Sequence, residues 1–159
     1  MISIDAAGLK LCTFQAEIFR ESLFQLACGS RIFIRRFMNS DLASRLDEKG
    51  FLYESSGVGN ALDELEQQYG ESHYGSFRYP AEELYWIGYL YRYWAYTYGK
   101  SSRQLYKFMK PEELSTLYYP YHSLDPAQAI ERILESRGVR DEDEITRGVA
   151  VLRRVRRKQ

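Results

Sequence analysis

The stretch from Ala81 to Tyr98, bounded by Pro80 and Gly99, is apolar or aromatic nearly all round. Leu84, Ile87, Tyr91, Trp94 and Tyr98 recur at helical spacing on one face, and Trp86, Leu90 and Tyr93 on another. A helix of that kind must be buried on most sides, so other helices have to wrap it. Pro80 is expected at the first helical position, and Glu82 and Glu83 favour the positive helix end. Gly88 and Ala95 on the first face would admit close helix approach. Both tryptophans and most of the tyrosines lie between Tyr79 and Leu134. Each phenol needs a polar partner or water, so the segment is either a hydrogen-bonded core or a recognition surface.

Local signals place the remaining helices around this one. Asp5 caps a helix over 6–28, with Leu9, Cys12, Ala16, Phe19, Leu23 and Leu26 as its apolar stripe. Gly29 and Ser30 end it. A second pattern over 31–47 carries Ile34, Phe37, Met38, Leu42 and Leu46, with a break expected at Asn39 and Ser40. A third helix spans 58–69 and stops at Gly70. Ser101 and Gln104 have capping-box spacing for a helix over 102–109. Pro111 opens a short turn. Asp125, Pro126 and Gln128 start a helix over 125–136. The expected fold is a mainly α, single compact domain over 1–138, packed by 6–28, 31–47 and 125–136 around the central helix. Sheet is limited to a small pairing near 51–53 and 74–79. Residues 139–159 are expected to form an amphipathic helix and a basic tail, with Ile145, Val149, Leu152 and Val155 as its stripe.

Charge and cysteine usage narrow the function classes. Lys plus Arg and Asp plus Glu each number 22, so no global field steers the chain toward nucleic acid or anionic lipid. Cys12 and Cys28 share one predicted helix, where sixteen residues rise about 24 Å, far beyond disulfide reach. Free thiols suit a reducing cytoplasm. The N-terminus lacks a basic segment followed by an apolar run, so no signal peptide is expected. No stretch reaches the roughly 20 apolar residues of a membrane span.

Candidate chemistry is sparse. His73 and His122 are isolated from each other and from the cysteines, so no metal site or cofactor is expected. Phosphate-binding and nucleotide-binding glycine motifs are absent, as is the serine-hydrolase motif. His122, beside Tyr121 and the Asp125 cap, is the imidazole that would serve an enzyme as general base. A loop histidine in that setting is more often a structural donor. Helix 81–98, the turn at Gly99 and helix 102–109 resemble a helix-turn-helix in outline. Ser102, Arg103, Gln104 and Lys107 are types that read bases and phosphates. The tail residues Arg153, Arg154, Arg156 and Arg157 offer a second phosphate-binding patch, or simply a charge-matched helix end. The third class is protein recognition. Residues 117–122 read as an aromatic loop stiffened by Pro120, with Tyr119, Tyr121 and His122 as contact residues and Tyr118 packed beneath. Folding back onto the central helix is the competing reading.

Three phrases carry a resemblance: Arg31 to Ser40, Glu83 to Tyr93, and Tyr119 to Leu134. Over roughly 1–136 the chain resembles a group of small uncharacterised bacterial proteins of Firmicutes type. Their genes lie beside a predicted ADP-ribosyltransferase-like toxin. The resemblance implies a toxin–antitoxin or defence cluster and favours an antitoxin-like protein that binds a protein partner, possibly that toxin. The absence of a catalytic constellation, the neutral net charge and the aromatic excess point to a non-enzymatic cytoplasmic protein. A helix-turn-helix regulator is the first alternative and an enzyme centred on His122 the second.

Overall fold

Why the first helix ends where it does shows how this molecule is held together. In the computed structural model, which describes residues 1–48 and 57–139, α1 covers Ala6–Gln25. Its start is local: the Asp5 carboxylate accepts from the Gly8 N–H at 2.8 Å. Its end is not local, and comes three residues before the sequence signals suggest. The Arg78 guanidinium donates to the carbonyls of Leu23, Leu26 and Ala27 at 2.8–3.1 Å. A cation contributed from far along the chain thus satisfies the orphan carbonyls and matches the negative helix end.

Among the described residues seven further helices follow: α2 Ser30–Met38, α3 Asp41–Asp47, α4 Gly57–Tyr69, α5 Ala81–Tyr98, α6 Ser102–Phe108, α7 Pro111–Tyr121 and α8 Pro126–Ser136. The chain is a mainly α single domain with no strand among the described residues. The break at Asn39 is present, and Ser40 Oγ caps α3 by accepting from Ala43 N–H. Ser101 and Gln104 form the full capping box of α6. Pro80 stands at the N-cap of α5, one position earlier than read from the sequence. Residues 74–79 form no strand. They make a strap instead, in which Gly29 N–H donates to Tyr74 C=O and Ser30 N–H to Phe77 C=O, each at 2.9 Å. The expected extended residues 51–53 and, past Val139, the expected helix and tail lie outside the described residues.

The loop expected over 117–122 is helical. Pro111 at the first position and Glu112 and Glu113 in the first turn start α7 well, and it continues through Pro120 to Tyr121. Pro120 lies inside the helix and supplies no backbone donor, so the Thr116 carbonyl loses its intrahelical partner. His122 N–H still donates to Tyr118 C=O at 2.8 Å.

α5 is central and packs against α1, α6, α7 and α8. Gly88 lets α1 approach closely: a Cβ there would lie 2.7 Å from Phe19 Cγ and 3.0 Å from the Gln15 carbonyl. Phe19 meets Phe33 and Phe37 edge-on, with centroids 5.1 and 5.0 Å away. Leu9, placed on the apolar stripe, is exposed. Across the core, Arg92 is only 1% exposed and donates to Gln15 Oε1 at 2.8 Å, Asp47 Oδ1 at 2.6 Å and Ser102 Oγ at 3.0 Å. Gln15 Nε2 donates in turn to Gly88 C=O. This network ties α1, α3, α5 and α6 together. Among the described residues no helix is long and apolar enough to cross a membrane.

Candidate functional site

The aromatic helix α5 divides along its length. Its C-terminal half is core: residues 91–98 are all buried. Tyr91 donates to Met109 C=O, Tyr96 donates to Asp5 Oδ1 at 2.7 Å, and Trp94 meets Phe108 edge-on at 5.8 Å. Burial raises the Tyr91 phenol well above its ordinary pKa. The buried Cys12 thiol is pushed up to about 12, and Cys28 is raised as well, so both stay protonated at neutral pH.

The N-terminal half of α5 floors an open groove of about 580 Å³. Glu82, Tyr85, Trp86 and Tyr89 line it at helical spacing. Arg20 of α1 forms one wall, and Tyr118 and His122 at the end of α7 form the other. Its size is that of an ordinary ligand pocket. Tyr85 and Tyr89 stand in a ladder with centroids 6.5 Å apart and planes inclined by 24°, and Tyr93 continues it. Trp86 meets Tyr118 edge-on at 5.8 Å, and Tyr118 stacks on His122 at 4.3 Å. The Arg20 guanidinium lies over the Tyr85 ring at 5.1 Å. Every ring is held by a neighbour, so the surface is formed before anything binds.

His122 is oriented by the helix that carries it. Its Nδ1–H donates to Tyr118 C=O at 2.7 Å and also lies 3.2 Å from Tyr119 C=O. In the neutral ring that leaves Nε2 as the acceptor. Tyr119 is 86% exposed, with its ring 6.4 Å from that of His122. Tyr121 is different. It is half-buried and packs against the core, because two helical steps, about 200°, turn it away from Tyr119. Two of the three predicted contact residues, Tyr119 and His122, therefore stand together beside the groove.

The four residues of α6 singled out for nucleic acid do not form one face. Ser102 is buried, and its hydroxyl donates to Asp47 Oδ1 at 2.7 Å while accepting from Arg92. The Gln104 side chain closes the capping box. Arg103 donates to Asn39 C=O at 3.0 Å, and Lys107 is exposed. Arg153, Arg154, Arg156 and Arg157 lie outside the described residues. Among the described residues no group of three or more His, Cys, Asp or Glu is placed to hold a metal ion.

Arg20, Tyr85, Trp86 and Tyr89 escaped the sequence reading as site residues, and Trp86 was placed on a buried face. The spacing of 82, 85, 86 and 89 marks a common face, but nothing in it says that no helix covers that face. No protein-family model matches the chain, and no curated protein or solved structure is significantly similar to it.

Proposed function

We propose that this chain is a non-enzymatic, cytoplasmic protein that binds another protein, antitoxin-like, within a bacterial toxin–antitoxin or defence cluster. The ADP-ribosyltransferase-like toxin implied by the resemblance is the partner proposed. The observation that supports binding is the pre-formed aromatic groove of Tyr85, Trp86, Tyr89 and Tyr118, with the exposed Tyr119 next to its wall residue His122. Tryptophan, tyrosine and arginine are the side chains that carry most interface energy, and a rigid surface loses little entropy on binding. A DNA-reading role has less support, since Ser102 and Gln104 are engaged within the fold.

A second reading keeps one observation of its own. The His122 Nδ1–H is fixed by the Tyr118 carbonyl, which presents Nε2 as a base would be presented. An activity lost in His122→Ala with the fold retained would favour it.

The test of the main reading is co-expression with the products of neighbouring genes. We expect a stoichiometric complex that Trp86→Ala and Tyr119→Ala each weaken by about 1–3 kcal/mol. The affinity should change little between about 50 and 200 mM salt, whereas DNA binding through several phosphate contacts would fall by orders of magnitude. A complex indifferent to both substitutions would place the working surface elsewhere.

A further inference from the structure

The chemistry of the groove, taken on the reading that it binds protein, narrows what part of a partner it fits. We infer that the groove recognises a partner segment through one carboxylate side chain flanked by apolar residues. The carboxylate pairs with Arg20, and the apolar flank lies on Trp86 and Tyr118.

The argument starts from an uncompensated charge. Arg20 is half-buried, has its guanidinium carbon 5.1 Å from the centre of the Tyr85 ring, and has no carboxylate within ion-pairing distance among the described residues. The planar guanidinium carries its N–H donors in a fixed fork, the geometry that takes a carboxylate by two parallel bonds. The other charge on the groove, Glu82, is exposed to water and sits in the first turn of α5, where the helix dipole offsets it. The interior of the groove therefore favours an anion.

Two competing chemistries fit less well. A cationic side chain would find the Tyr85 ring already taken by Arg20 and would be repelled by that charge. A phosphate carries nearly two charges and needs several donors, but a single guanidinium serves here, with Glu82 and Glu83 on the adjoining turn. A single carboxylate beside leucine, proline or an aromatic residue satisfies the lone cation and covers the rings.

The probe is a random-peptide phage library selected against the full chain. We expect enrichment of peptides with an acidic residue next to apolar ones. A selected peptide should bind Arg20→Met at least ~10-fold more weakly, and Trp86→Ala likewise, with melting curves retained. Selection against Arg20→Glu should shift the enrichment from acidic to basic residues, a reversal that a merely structural role for Arg20 does not produce. If Arg20→Glu fails to fold, Arg20→Met carries the test. Groove-dependent peptides that show no preference for an acid, or competition by millimolar inorganic phosphate, would overturn the inference and leave the protein-binding reading standing. If no groove-dependent peptide is selected and the co-expressed complex ignores the groove substitutions, both readings fall.

Discussion

The Arg92 guanidinium meets the Asp47 carboxylate at 2.6 Å, with the arginine side chain 1% exposed and the aspartate 17% exposed. The pair is unequal. Asp47 can still reach water, while Arg92 cannot. Removing the anion strands a buried cation, which typically costs ~3–5 kcal/mol. Asp47→Ala should therefore destabilise by that amount, and Arg92→Met by less. The double variant should be more stable than Asp47→Ala alone. Urea titrations of the three variants measure this, and equal, additive losses would show that the two groups are not coupled.

Two glycines should respond with opposite sign. Gly88→Ala forces a methyl against Phe19 and the Gln15 carbonyl, and should lose ~1–3 kcal/mol despite better helix propensity. Gly59 in α4 has nothing within 4 Å of its added Cβ, so Gly59→Ala should gain up to about 1 kcal/mol. Thermal melts of both proteins decide it.

Arg78 should matter more than its exposed position suggests. Arg78→Ala leaves three carbonyls at the end of α1 without their donor. A loss of ~1–3 kcal/mol is expected, with hydrogen exchange rising first at the last turn of α1. Arg78→Lys should recover only part, because an ammonium cannot reach three carbonyls in one plane.

Along α7, stability and exposure should separate. Tyr119→Ala should change stability by no more than about 0.5 kcal/mol, since the side chain is 86% exposed. Tyr118→Ala loses the contacts with Trp86 and His122, and should cost ~1–2 kcal/mol. Equal effects on the melting temperature would contradict the packing described.

Alkaline pH should destabilise the protein, with the buried Cys12 thiol contributing alongside buried phenols such as Tyr91. Burial raises Cys12 from 9.0 to about 12. Between those values the unfolded chain loses a proton that the folded chain keeps. The stability linked to the neutral thiol is complete below pH 9 and is lost as pH rises toward about 12. Cys28 is raised in the same direction. Cys12→Ala should start less stable but decline less steeply from pH 9 upward, and an unchanged slope would rule the thiol out.

Sequence by itself determined the elements whose causes are local. The Asp5, Ser40 and Ser101 caps, the break at Asn39, the stops at Gly70 and Gly99, and the all-round apolar helix from Ala81 to Tyr98 each depend on residues within a turn or two. Pro120 reads as a loop signal because proline usually breaks a helix, yet α7 runs through it to Tyr121. Tertiary structure alone decided the rest. Arg92 and Gln15 are 77 residues apart, and Arg92 and Asp47 are 45 apart, so only the packed helices bring them together. The same holds for Arg78 at the end of α1. It holds also for the groove, since Trp86 and Tyr93 look alike along the chain. Tyr93 is buried and Trp86 only half-buried, so the open groove begins where the burial of α5 becomes incomplete. Periodicity tells which residues share a face, but only the arrangement of neighbouring helices decides whether that face becomes core or surface.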